Sequence, residues 1–112
     1  FSFIIDGENA LSTYLEQLIP GQYALHQNYP NPFNPVTTVR YDLPENSLVT
    51  ITIYDMLGKE ISTIVNEYQD AGYKSIVWNA TNDYGQSISA GIYIYQIKTK
   101  DFVQTKKMIL LK

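Results

Sequence analysis

Val49-Thr50-Ile51-Thr52-Ile53-Tyr54 sets Val49, Ile51 and Ile53 on one side of an extended chain and Thr50, Thr52 and Tyr54 on the other. A half-buried strand requires this period of two. Working outward, segments rich in Val, Ile, Thr, Tyr and Phe occur at about 23–28, 36–42, 59–66, 72–79, 91–99 and 102–110, and each reads as a further strand. Turn-formers separate them: Leu43-Pro44-Glu45-Asn46-Ser47, Asp55-Met56-Leu57-Gly58, Asp70-Ala71-Gly72, Asn82-Asp83-Tyr84-Gly85 and Lys100-Asp101,.

Seven short strands with regular punctuation predict an all-β chain, an immunoglobulin-like antiparallel β-sandwich. At 112 residues, 45% hydrophobic and 17% charged, the chain is sized for one core,. Ile76 and Trp78 share a strand face and are expected at its centre, opposite Ile51 and Ile53. Along 91–99 either Tyr93, Tyr95 and Ile97 or Ile92 and Ile94 face inward; periodicity alone does not choose. The ten tyrosines suit sheet margins, where a ring covers apolar surface and its hydroxyl meets water or a carbonyl.

Residues 1–22 read as a linker or the end of an upstream domain. A short helix is the alternative, because Leu11, Tyr14, Leu15 and Leu18 fall at helical spacing before the stop Pro20-Gly21,. Starting at Phe1 rather than methionine, the chain is expected to be a processed product or an excised piece of a longer polypeptide, and it reads as a fragment.

Catalytic chemistry finds little support. The absence of cysteine removes disulfides, thiolate nucleophiles and cysteine zinc sites, and His26 is the single histidine,. Asp42, Glu45, Asp55, Glu60 and Asp70 each lie in or beside a turn, and Asn82-Asp83-Tyr84-Gly85 lacks the spaced ligands of a calcium loop. Gly85-Gln86-Ser87-Ile88-Ser89 has serine where a nucleophile elbow needs its second glycine. The expectation is no enzyme, no cofactor and no metal. Eight basic against eleven acidic residues, net charge −3, argue against nucleic acid as a partner. No run nears the roughly 18 apolar residues of a membrane span, so stable membrane insertion is not expected.

Three segments stand out as recognition candidates. Pro30, Asn31, Pro32 and Phe33 belong to Tyr29-Pro30-Asn31-Pro32-Phe33-Asn34-Pro35, whose prolines exclude an interior strand. It reads as a stiff crossover whose Phe33 plugs one end of the sandwich, as a preformed epitope, or as both; the isomer of its prolyl bonds stays open. Met56, Leu57 and Gly58 place two apolar side chains in a tight turn. They either fold under the sandwich edge or touch a receptor. Finally, Lys106, Lys107, Met108, Ile109, Leu110, Leu111 and Lys112 end a stretch, 98–112, with five lysines against Asp101 alone. This is a lysine-guarded edge or a docking strand, suited to strand addition or to insertion into a receptor groove. On the second reading, deleting 107–112 abolishes recognition and leaves the domain soluble.

Four motifs in order now carry a resemblance: Asn28-Tyr29-Pro30-Asn31-Pro32-Phe33-Asn34-Pro35, Ile53-Tyr54-Asp55-Met56-Leu57-Gly58-Lys59-Glu60-Ile61, Gly91-Ile92-Tyr93-Ile94-Tyr95-Gln96-Ile97 and Lys107-Met108-Ile109-Leu110-Leu111-Lys112. Residues 23–112 resemble the type A C-terminal sorting domain of the type IX (Por) secretion system. Trp78-Asn79-Ala80-Thr81-Asn82-Asp83-Tyr84-Gly85 is similar to the family's tryptophan and polar turn, with Ala80 where glycine is frequent. The resemblance implies a signal that leads an upstream passenger across the outer membrane. Its partners would be the type IX secretion machinery, a surface sorting peptidase that removes the domain, and the passenger. Its location would be the periplasm in transit, then the medium or cell surface. The competing expectation is an immunoglobulin-like accessory module that binds carbohydrate or protein, resembling a domain of flagellar hook-capping proteins. A carbohydrate site would need aromatic rings along one exposed face.

Overall fold

The computed structural model describes residues 18–111; the helix expected from Leu11 to Leu18 lies, but for Leu18, outside the described residues, as does Lys112. Seven strands follow the alternating segments: β1 Ala24–Leu25, β2 Thr37–Leu43, β3 Ser47–Tyr54, β4 Glu60–Gln69, β5 Gly72–Trp78, β6 Gly91–Lys98 and β7 Val103–Leu110. They form a three-stranded sheet in the order β1-β2-β5 and a four-stranded sheet in the order β4-β3-β6-β7. Every strand pairing is antiparallel. The expected sandwich is present.

Inward positions fill the space between the sheets. Val39, Tyr41 and Leu43 from β2 face Val49, Ile51 and Ile53 from β3, with Tyr95 and Ile97 from β6 and Met108 and Leu110 from β7. These side chains are at most 1% exposed. Each burial of this kind contributes about 1.5–3 kcal/mol. On β6 the open choice resolves to Tyr93, Tyr95 and Ile97 inward, because each tyrosine hydroxyl reaches a main-chain partner. Tyr93 Oη donates to the Ser89 carbonyl at 2.6 Å and Tyr95 Oη to the His26 carbonyl at 2.7 Å.

The expected core centre needs correcting. Trp78 is buried, but it closes one end of the core against the rings of Phe33 and Tyr93, and its Nε1 donates to the Thr81 carbonyl at 3.1 Å. Ile76 shares its face and is only half-buried, because β5 is an edge strand paired with β2 alone. β1 is shorter than expected: after His26 N donates to the Arg40 carbonyl, register is kept only by the isolated Tyr29–Thr38 pair. β4 is longer, pairing to Gln69, with register shifts between Ile51 and Thr52 and between Ile53 and Tyr54 on β3.

Candidate functional site

The register brings the three sequence candidates to one pole of the sandwich. Tyr54 at the end of β3 pairs with Glu60 and with Ile94; Gly91 pairs with Leu110, and Thr37 with Trp78. The proline segment, the 55–59 turn, the 79–90 connection and the end of β7 therefore all emerge on the same side.

Buried polar groups anchor the proline segment. Asn28, 2% exposed, donates from Nδ2 to Thr37 Oγ1 at 3.0 Å and to the Pro30 carbonyl at 3.2 Å, while its N–H donates to Tyr95 Oη at 2.8 Å. Thr37 Oγ1 also donates to the Pro30 carbonyl at 2.8 Å. Burial pushes the Tyr95 phenol up to about 12, opposed by the Asn28 hydrogen bond, so the hydroxyl stays a neutral donor and acceptor. The Tyr29–Pro30, Asn31–Pro32 and Asn34–Pro35 peptide bonds are cis.

From this anchor the segment covers the outer edge of β7. Gln27 Nε2 donates to the Lys107 carbonyl at 2.7 Å, and Ile109 N–H donates to Asn31 Oδ1 at 2.9 Å. Phe33 N–H donates to the Ile109 carbonyl at 2.9 Å, and Leu111 N–H to the Phe33 carbonyl at 2.8 Å. Along 107–111 the Lys107 carbonyl, the Ile109 N–H and carbonyl and the Leu111 N–H thus already have partners, which limits strand addition at this end of β7,. Phe33 plugs the end of the core, as one expectation held.

The 55–59 turn is built around one carboxylate. Asp55 Oδ1 accepts the N–H groups of Leu57 and Lys59, each at 2.9 Å, while Gly58 N–H donates to the Asp55 carbonyl. Gly58 has φ +87°, a conformation that favours glycine. Residues 82–86 repeat the plan: Asn82 Oδ1 accepts the N–H groups of Tyr84 and Gln86 at 2.9 and 3.0 Å, and Gly85 has φ +75°. Each frame holds an apolar or aromatic side chain in water, Leu57 at 95% and Tyr84 at 87% exposed. The loops are neighbours, since Asp83 Oδ1 accepts Thr63 N–H at 2.9 Å on β4.

Not every candidate reaches the surface. Pro30, Asn31, Pro32, Met56, Leu57, Gly58, Lys107, Ile109 and Leu111 are exposed, and Lys106 is half-buried. Phe33, Met108 and Leu110 are buried and hold the pole from beneath. Deleting 107–112 would empty two core positions, so the expectation of a soluble, folded remainder does not fit this packing. Sequence reading missed Gln27, Asn28 and Thr37; the polar doublet before the prolines was their signal. It also left the Asp/Asn-x-x-Gly turns unlinked. Among the described residues no group of three His, Cys, Asp or Glu could hold a metal ion, and no helix is long and apolar enough to cross a membrane.

Residues 27–111 match the family described as secretion system C-terminal sorting domain. Among solved structures, dimeric latent PorU from Porphyromonas gingivalis superposes with TM-score 0.65 at 22% identity, over 82% of this chain and 10% of that one. PorZ of P. gingivalis, an essential bacterial surface component of the type-IX secretion system, gives 0.54 at 16%, over 80% and 11%. FlgD from P. aeruginosa gives 0.53 at 24%, over 66% and 57%. The chain thus spans about a tenth of the PorU and PorZ chains, and likeness at these identities shows the fold. No curated protein matches the chain.

Proposed function

The chain belongs to the family of secretion system C-terminal sorting domains, and from that premise we propose that its proline-anchored pole is the surface the export machinery reads. The domain is a type IX sorting signal, and such a signal is not itself a catalyst. Its sorting implies delivery to the cell surface. In the finer reading, residues 23–112 form the signal and residues 1–22 link it to an upstream passenger. The passenger passes through the periplasm, the domain leads it across the outer membrane, and a surface peptidase then removes the domain.

One observation carries the choice of surface: hydrogen bonds pin the backbone of both apolar-tipped loops while their tips, Leu57 and Tyr84, stand in water. A partner that covered these side chains would gain their burial, and a pinned loop loses little freedom on binding. Pro30, Asn31, Pro32, Met56, Gly58, Lys106, Lys107, Ile109 and Leu111 complete the proposed contact. Phe33, Met108 and Leu110 support it from the core; Lys112 remains a candidate from the sequence alone.

The test fuses residues 1–112, and separately 23–112, to a periplasm-targeted fluorescent reporter in a type IX-competent host and in its export-deficient mutant. Reporter reaching the medium or surface only in the competent host, shortened by the domain's mass, is the expected result. Equal periplasmic retention in both hosts would overturn the reading.

A further inference from the structure

The outward face of the three-stranded sheet lies apart from the pole contact and is laid out as a grid. Antiparallel pairs place directly opposed residues on one face. Tyr29 opposes Thr38, which opposes Val77; Arg40 opposes Ser75; Asp42 lies between Ala24 and Tyr73. His26 joins the middle of this face, its Nε2 3.0 Å from Asp42 Oδ1.

Two tyrosines stand at opposite corners. Tyr29 is 75% and Tyr73 61% exposed, although Tyr29 is fixed by paired main-chain hydrogen bonds with Thr38 at 3.0 and 2.9 Å. Neither ring contributes to the core. With about 3.4 Å per residue along a strand and about 4.8 Å between strands, their Cα atoms lie roughly 16 Å apart, about the reach of three or four linked pyranose rings. The space beside Tyr73 is an open depression lined by His26, Arg40, Asp42, Tyr73, Lys74 and Ser75.

Charge selects among ligands for such a face. His26 engages Asp42, whereas the exposed Arg40 guanidinium has no hydrogen-bond or ion-pair partner among the described residues and lies on the diagonal between the two rings. Tyrosine rings stack on the apolar faces of sugar rings, and a guanidinium fork matches a carboxylate in two parallel hydrogen bonds.

We propose that this face binds an acidic saccharide, a hexuronate-containing chain of about three or four units, with Tyr29 and Tyr73 as stacking platforms and Arg40 as the carboxylate clamp. The inference stands independently of the sorting role: Tyr29 borders the proline segment, but none of the residues of the proposed pole contact takes part in it.

The test titrates the 112-residue chain with tetragalacturonate, with neutral cellotetraose and with dextran sulfate, following backbone amide shifts by NMR. Tetragalacturonate should perturb Thr38, Arg40, Tyr73, Ser75 and Val77 and bind in the micromolar to millimolar range. Tyr73→Ala and Tyr29→Ala should each weaken it about tenfold, and Arg40→Lys, which keeps charge but loses the fork, more than it weakens binding of dextran sulfate. All three side chains are exposed, so unchanged amide spectra elsewhere verify the fold. Four results would overturn the proposal: no shift at millimolar tetragalacturonate, shifts outside this face, cellotetraose binding as tightly, or tyrosine substitutions that alter only the chain's self-association.

Discussion

Asn31 Oδ1 accepts the Ile109 N–H at 2.9 Å, tying the proline segment to the last strand across 78 positions of sequence. β7 is an edge strand, and this bond, with the Phe33 main chain, engages the donors of Ile109 and Leu111 that the end of this edge would offer,. Asn31→Ala should lower stability by about 1 kcal/mol and speed hydrogen exchange at Ile109. Asn31→Asp keeps an acceptor and should restore most of the protection. Exchange at Ile109 that is unchanged in Asn31→Ala would show the bond to be idle.

Tyr95 carries a prediction in pH. Its folded pKa, about 12, exceeds the ordinary 10.0 because of burial. The unfolded chain therefore releases the phenolic proton first as pH rises, and unfolding becomes easier. The stability is fully present below pH 10 and should fall, by on the order of 2 kcal/mol for this residue, as pH approaches 12. Burial raises Tyr41 and Tyr93 as well and adds to the same loss. Tyr95→Phe should flatten part of that slope. At neutral pH it should cost about 1–3 kcal/mol, because the Asn28 N–H and the His26 carbonyl lose their partner. Urea midpoints at neutral pH and near pH 11, for both proteins, check the sign.

Ala80 sits at φ 59° and is 1% exposed. A left-handed alanine costs about 1–2 kcal/mol, while its buried methyl returns about 0.8 kcal/mol and glycine would add unfolded-state freedom. These nearly cancel, so Ala80→Gly should shift stability by less than about 1 kcal/mol. Ala80→Val has no such balance: a β-branched residue resists this backbone and the buried site has no room, so a loss of more than about 2 kcal/mol is expected. Calorimetry of the two variants separates strain from packing.

How much could be read in advance follows from range. Alternation is local, so all seven strands and the sandwich were legible from Val49-Thr50-Ile51 and its counterparts. Met56 and Leu57 were legible as odd because apolar residues seldom occupy a tight turn. Non-local facts were not: Ile76 lost its central place because β5 became an edge, which only the sheet order decides. The β7 terminus read as a free apolar end, yet its alternate residues Met108 and Leu110 are core, and its outer edge is covered by residues some 78 positions away. Asn28 looked like any polar residue before a proline until Tyr95 and Thr37 came to meet it.

The two candidate recognition elements at the pole are separable by stability. Leu57 is 95% and Met56 56% exposed, and the Asp55 frame binds main-chain N–H groups that any side chain at 57 leaves in place. Met56→Asp with Leu57→Asp should therefore hold the melting temperature, with a change within about 0.5 kcal/mol, and abolish reporter export. Deleting 107–112 removes Met108 and Leu110, at 0% and 1% exposure, at about 2–5 kcal/mol for each core side chain lost; it should unfold the domain, and its export defect says nothing about contact. Lys107→Glu with Ile109→Asp asks the strand's question on the exposed side alone. Export lost in the Met56/Leu57 pair at unchanged melting temperature makes the turn a contact; a joint fall of both would make it packing, against its exposure.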